Sequence, residues 1–306
     1  MLFDLVTENV ACLWFPNRGL RPLPHLPGMA YSSAYQVSNN GEVIGVSQNS
    51  YADFRAVRWD RHGNVHALPL LPGDNSSEPG QINARGQITG LSAETAPDAA
   101  TYSAGTLHIR PVVWENGQVR VLPTGPTGEG ISNGINDHGQ IVGRLLTGPP
   151  GDSFQSRAVM WDRNGITDLG SLGGAWTAPY VINNRGQVVG FGAIPGGVSN
   201  GFIGELHAFF WENGVMTDLG TLGGTYSGAW GLNNRGQIVG EATYPGDTIN
   251  RATIWENGAW RDLNNLIPAD SGWTLIFTAG INDRGQIVGG GLHNNERRTF
   301  VLTPTR

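Results

Sequence analysis

Apolar residues fall along this chain in short runs, each closed by a tight-turn residue, and the runs repeat. The pattern I-N-x-x-G-Q-I-V-G occurs six times, at residues 37–45, 82–90, 135–143, 182–190, 232–240 and 281–289. Its turn glycines, Gly41, Gly86, Gly139, Gly186, Gly236 and Gly285, are spaced 45, 53, 47, 50 and 49 residues apart. Between these units lies a second one, a short apolar strand ending in Trp14, Trp59, Trp114, Trp161, Trp211 or Trp255. A Glu-Asn-Gly or Asp-Arg-x-Gly turn and another strand follow it. Asn-Gly between apolar runs is a strong hairpin signal. Each period therefore holds four short strands: the Trp strand, an "x-D-L" strand, the "I-N" strand and the "Q-I-V-G" strand. Four strands in a period of this length predict one propeller blade, and nothing reads as a helix.

The pattern predicts an all-β fold, a β-propeller of six four-stranded blades over residues 1–306 as one domain. Thr299-Phe300-Val301-Leu302 reads as a further strand of the Trp type, and Leu2-Phe3-Asp4-Leu5 as a stray "D-L" strand. Together they are expected to close the ring, since an unclasped last blade would expose an unpaired edge. A seventh blade is the alternative.

Composition supports this reading and trims the function classes. The 46 glycines supply the positive φ that tight hairpins need, and ten tryptophans with 39% hydrophobic residues argue against disorder. The net charge is −6 and all 19 basic residues are arginine, which removes lysine Schiff-base chemistry. No basic tract stands out, so nucleic acid is not an expected partner. Cys12 is alone, so no internal disulfide forms. No run is long and apolar enough to span a membrane, and none is expected as a partner. Met1-Leu2-Phe3-Asp4-Leu5 does not read as a signal peptide, so the chain is expected to be cytoplasmic as written, or secreted if a leader has been removed.

His207-Ala208-Phe209-Phe210-Trp211, followed by Met216-Thr217-Asp218-Leu219-Gly220-Thr221-Leu222-Gly223-Gly224, resembles the HAF repeat of predicted extracellular bacterial proteins. Blades around 158–190 and 208–240 match it well. The others keep the glycines and tryptophans but lose the Leu-Gly-Thr-Leu-Gly-Gly segment, as in Leu68-Pro69-Leu70-Leu71-Pro72-Gly73. The resemblance spans nearly the whole chain and implies the fold; it brings no activity.

Strand alternation puts the tight turns on one face and the long, variable connections on the other, for example Ala93 to Arg110 and Gly192 to Leu206. Function on rigid β scaffolds concentrates in such connections. A position that is the same in every blade points to structure, and one that differs is free for a ligand. By that filter the Asn of "I-N" (Asn83, Asn136, Asn183, Asn233, Asn282) reads as a turn cap. The cations that open the Trp strands, including Arg110, Arg157, His207 and Arg251, read first as groups that stack on or tie together neighbouring blades and second as a carboxylate or phosphate site. The position two before each "I" holds Tyr35, Gly80, Asn133, Tyr180, Trp230 and Ala279. With Trp176, Tyr226 and Trp273 nearby, this varied, half-aromatic ring reads either as ordinary inter-blade packing or as the candidate lining for a small molecule or glycan at the mouth of the central channel.

Chemistry leaves fainter traces. Gly130-Ile131-Ser132-Asn133-Gly134 has the spacing of a nucleophile elbow but runs into a hairpin, not a helix, so it is expected to be inert. Glu78, Glu94, Asp98, Glu205, His25, His108 and His293 occupy the long-connection face without recurring between blades. Any acid–base catalysis, such as that of a lactonase, lyase or cofactor-free cyclase or isomerase, is expected from this set. No cofactor and no linear metal motif is evident; calcium held on the axis by single residues of different blades stays open. Oligomeric state is unassigned. Ligand binding leads, and catalysis follows it as the alternative. The first predicts an aromatic mouth; the second predicts acids and histidines that converge.

Overall fold

Type I′ turns set the hairpins. In the computed structural model, which describes residues 10–50, 53–96, 106–148, 155–196, 198–199, 202–203, 205–246 and 249–305, the Asn-Gly pairs 116–117, 213–214 and 257–258 all have positive φ. That conformation twists with the flanking strands, which is why Asn-Gly is chosen there. The Asp-Arg-x-Gly variant relies on side-chain acceptance instead. Asp60 takes hydrogen bonds from the side chain and backbone of Asn64 and from His62 N, which hold its carboxyl far below the usual carboxylate range.

The fold is an all-β, six-bladed propeller. The first blade comprises Tyr31–Val37, Val43–Ser50, Asp53–Trp59 and Val65–Ala67, and the second Ser76–Ile82, Ile88–Thr95, Thr106–Glu115 and Gln118–Val121. The third holds Gly130–Ile135, Ile141–Leu146, Ser156–Asp162 and Gly165–Gly170. The fourth is Thr177–Ile182, Val188–Ala193, Leu206–Glu212 and Val215–Asp218; the fifth is Ser227–Leu232, Ile238–Thr243, Asn250–Glu256 and Ala259–Asp262. Each of these five runs in the order of the sequence from the "I-N" strand at one edge to the "x-D-L" strand at the other.

The sixth blade shows Trp273–Ile281, Ile287–His293 and Glu296–Leu302 among the described residues. The segment at 299–302 is thus its third strand, while residues 2–5, assigned to the clasp, lie outside the described residues. Ala11–Phe15 and Gly19–Leu23 pair as a separate hairpin, whose Ala11 and Leu23 are buried with Val43, Val57 and Trp59 of the first blade. One short 3-10 turn, Leu263–Leu266, is capped by Asp262.

By contact the chain divides into two compact units. One is residues 1–141, 145–153 and 161–165; the other is 142–144, 154–160 and 166–306. In the first, Ile44 and Ala56 of the first blade meet Ile82, Ile88, Val112 and Trp114 of the second. In the second, Val189 and Ala208 of the fourth blade meet Ala229, Leu232, Ile238 and Trp260 of the fifth, and Val239 and Ala252 meet Leu275 and Ile287 of the sixth.

Two repeat positions have a geometric cause. The "I-N" strand carries a β-bulge next to Tyr35, Tyr180 and Trp230, where the pairing steps over that residue. The bulge thrusts a carbonyl over the last glycine of the motif. A Cβ on Gly45, Gly190 or Gly240 would lie 2.0, 2.1 or 1.9 Å from the oxygens of Ser33, Ala178 and Gly228, so only glycine fits. The Asn of "I-N" is structural. Asn83, Asn183 and Asn233 each accept from backbone N–H groups of their own turn and donate to the carbonyl of the next blade's Asn, at 3.0, 2.9 and 3.0 Å. Ser132 of the Gly-x-Ser-x-Gly segment is fully buried and bonded to backbone groups of Gly90 and Val112. It has no access to substrate.

Candidate functional site

The long-connection end of the second blade opens into a cleft of about 400 Å³, lined by Pro72–Asp74, Glu94, His108, Arg110 and Thr127–Glu129. Every one of these residues belongs to the first compact unit. Glu94 is the penultimate residue of the second strand and stands directly opposite His108 on the third, so strand register alone brings these two together. Arg110 follows two residues later on the same face of that strand. The cleft therefore sits over the two middle strands of the blade, and the edge strand that carries the varied aromatic ring does not line it.

Two turns supply the rest. Gly73, at φ +88°, lets the chain reverse so that Asp74 points inward. Its carboxylate is 1% exposed and forms an ion pair with the Arg110 guanidinium, while Ser92 Oγ donates to its other oxygen. Arg110 also donates to Pro72 O at 3.3 Å. This pair ties the 72–74 turn to the sheet and cancels its own charge.

Glu129 is held differently. Gly128, at φ +74°, closes a turn onto Gly125, and the Glu129 carbonyl accepts from Leu146 N at 3.2 Å. Thr127 Oγ1 donates to Leu146 O at 2.7 Å. The backbone is thereby fixed and the side chain turned into the wall of the cleft. It is 3% exposed, and neither carboxylate oxygen has a hydrogen-bond partner among the described residues. The His108 imidazole stands beside it, with Nδ1 3.6 Å from Oε1 and too far for a hydrogen bond; that side chain is 60% exposed. A buried carboxylate in this state is costly unless something else completes it.

A second cluster, wholly within the other unit, gathers the aromatic candidates. Phe191 packs between Trp176 and Tyr180 of its own blade and Tyr226 and Trp230 of the fifth, with ring centroids 5.0 to 6.3 Å away. Trp176 and Phe191 are buried, and Arg144 lies over the Trp176 ring at 5.2 Å. Glu241 accepts from Tyr226 Oη at 3.0 Å and from Trp230 Nε1 at 3.2 Å. Burial, then the nearby Glu241 charge, pushes the Tyr226 hydroxyl pKa far upward. The polar tips of the two rings are thus already satisfied. The cluster is inter-blade packing first.

The remaining candidates scatter. Tyr35 donates to Glu78 at 2.9 Å, and burial raises the Glu78 carboxyl while that hydrogen bond lowers it. Arg157 pairs with Asp168 at 2.9 Å and His207 with Asp218 at 2.8 Å, each across one hairpin. Trp273 lies against His293 with centroids 4.9 Å apart. His25 is half-buried beside its neighbour's carbonyl, Arg251 is half-buried, and Glu205 is exposed. Asp98 lies outside the described residues. Of the acid–base candidates, Glu94 and His108 converge, and Arg110 joins them from the cation ring. Asp74, Glu129, Phe191 and Glu241 escaped the sequence reading. Phe191 and Glu241 follow the motif's last glycine, where the blades hold Val46, Leu91, Arg144, Phe191, Glu241 and Gly290, so comparing blades at that position would have found them. Glu129 stands six residues before the first position of its motif, where the blades hold Tyr31, Ser76, Glu129, Trp176, Tyr226 and Leu275, so the same comparison would have singled it out. Among the described residues, no three His, Cys, Asp or Glu side chains are arranged to hold a metal ion.

No protein-family model matches the chain, and no curated protein does. Solved structures match its fold at low identity. The β-propeller domain of the Trilobed protease from Pyrococcus furiosus is 8% identical, with TM-score 0.55, over 89% of this chain and 82% of that one. A catalytically inactive virginiamycin B lyase from Staphylococcus aureus, solved with quinupristin, is 13% identical, with TM-score 0.54, over 99% and 98% of the two chains. A puromycin-hydrolysing peptidase from Mycobacterium tuberculosis is 12% identical, with TM-score 0.55, over 94% of this chain but 47% of that one.

Proposed function

We propose that this propeller binds a small molecule in the cleft beside its second blade, with Glu129 as the group that holds it. One observation carries the reading: a carboxylate 3% exposed, with neither oxygen hydrogen-bonded among the described residues and only the His108 imidazole near it at 3.6 Å, forms part of the cleft's lining. Native structures rarely leave such a group without a purpose. The ligand site thereby moves from the aromatic ring, whose members pack on one another, to an ionic pocket on the same long-connection side of the repeat. The cleft's volume lies in the lower part of the range of small-molecule sites.

Catalysis is the second reading, favoured by the arrangement of Glu129, His108 and Glu94. An imidazole 3.6 Å from a buried carboxylate, and on the neighbouring strand position to a second one, is the raw material of proton transfer once a substrate draws the groups together. The neighbouring virginiamycin B lyase and puromycin-hydrolysing peptidase are enzymes, but at such identities they speak for the fold alone. We read the blade unit as a HAF repeat, in keeping with the pairing of His207 of the H-A-F segment with Asp218 of the following D-L.

The test is a thermal-shift screen of a small-molecule library against the whole chain, repeated with Glu129→Ala and Tyr226→Phe. Hits lost in the first variant and kept in the second support the cleft. Hits that survive Glu129→Ala, or no hits at all, reject it. Mass spectrometry of the hits after incubation separates binding from turnover.

A further inference from the structure

The chemistry of the cleft narrows what it takes. Asp74 and Arg110 neutralise each other, and the guanidinium is further committed to Pro72 O. What remains is Glu129 and Glu94 against one exposed imidazole, so the cleft is acidic. An anionic ligand would meet two carboxylates, and the one arginine, although its Nε has no hydrogen-bond partner among the described residues, already has its charge matched by Asp74 through Nη2. A neutral polyol could donate to Glu129 but would leave its charge uncompensated. A divalent cation would need several oxygen or nitrogen ligands, and no three are arranged for it among the described residues. A quaternary ammonium is recognised by the faces of Trp, Tyr or Phe, and the lining contains none of the three. It would also bring no N–H to the two bare oxygens of Glu129.

From this we infer that the cleft takes an organic cation bearing N–H donors, a primary ammonium or an amidinium-type group, with Glu129 as its buried counter-ion and Glu94 as a second acceptor at the rim. The inference rests on the small-molecule reading above and specifies its ligand. A charge-assisted hydrogen bond to each Glu129 oxygen would complete the two acceptors that the fold leaves open. The rest of the ligand would project past Pro72 and Gly128 towards solvent.

Calorimetric titration of the whole chain tests it with one scaffold in five forms: benzylamine, benzamidine, benzyl alcohol, benzyltrimethylammonium and benzoate, with calcium chloride as the metal arm. Benzylamine or benzamidine should bind at least roughly ten-fold more tightly than the alcohol and the quaternary ion. Glu129→Gln should erase that preference, and Glu94→Gln should reduce it by about two- to five-fold. Equal binding of the alcohol or benzoate, a preference that persists in Glu129→Gln, or calcium binding in place of the amines overturns the inference. So does a lack of amine and amidine binding at millimolar concentration. If Glu129→Gln does not fold, Glu94→Gln decides, and an unchanged preference there counts against the inference. Should library molecules bind through Glu129 while amines show no advantage, the cleft stands and only its ligand class falls. Should nothing bind there, both fall.

Discussion

The cleft of the second blade and the aromatic cluster of the fourth and fifth are built from the same repeat and treat their polar groups in opposite ways. In the cluster, Tyr226 and Trp230 both direct their donors to Glu241, and Phe191 fills the space between the rings. The corresponding position of the second blade holds Leu91, which is buried with Phe54, Ile109 and Leu146. That part of the blade is ordinary core. The carboxylate without a hydrogen-bond partner lies instead at Glu129, just before the first strand of the third blade. Satisfied polar groups among close-packed rings mark a structural joint. A buried acceptor left without a hydrogen bond beside a cleft is what the proposed ligand would complete.

The comparison breaks most easily at Phe191. Phe191→Ala should cost about 3–5 kcal/mol, the usual price of truncating a buried phenylalanine. The melting temperature should fall by roughly 10 °C, measured by calorimetry, while ligand binding in the cleft changes less than about two-fold because the two sites share no residue. A loss of ligand affinity on that substitution would make the cluster part of the site. Glu129→Gln should do the reverse. Its binding loss, at least roughly ten-fold or about 1.4 kcal/mol, should come with folding stability that rises or stays within ~1 kcal/mol, because a buried uncompensated charge has been removed. A destabilisation beyond ~2 kcal/mol in urea would mean that Glu129 serves the fold.

How much of this was legible in the chain follows from the same contrast. The blades were readable because Asn-Gly turns, motif glycines and the "I-N" asparagines answer local backbone demands that every blade shares. The bulge that fixes Gly45, Gly190 and Gly240 is a demand of that kind, although its geometry appears only in the fold. Glu94 and His108 were reachable because they do not recur, and strand register then placed them face to face. Arg157 and His207 looked like members of a cation ring, yet each has an Asp across its own hairpin. Sequence distance hides such pairs from inspection. Comparing blades would have singled out Glu129, but its importance lies in what surrounds it: a fixed turn, a dry wall and no donor. None of those is written in residues 125–130 alone.

Smaller effects sharpen the comparison further. Tyr226→Phe removes one of the two donors to Glu241 and leaves Trp230 in place, so it should cost about 1 kcal/mol in urea denaturation. An effect several times larger would show that the cluster depends on this polar contact more than on ring packing.

Glu78 supplies the control between the two regions. Like Glu129 it is a carboxyl drawn into the first unit, but Tyr35 donates to it at 2.9 Å. Burial nevertheless outweighs that hydrogen bond and raises its pKa above the usual 4.5. A carboxyl raised in the folded state binds its proton more tightly there than in the unfolded chain. Its contribution is therefore complete below the usual glutamate pKa and is lost as pH climbs through the raised value. Glu78→Gln should remove that loss: at neutral pH the variant should gain stability relative to the parent, and near pH 4 the gain should vanish. Urea midpoints at the two pH values measure it. A gain equal at both would show that the effect does not come from a raised pKa, and a loss at neutral pH would show that the Tyr35 hydrogen bond outweighs burial. Partnering would then explain on its own why Glu78 is settled and Glu129 is not.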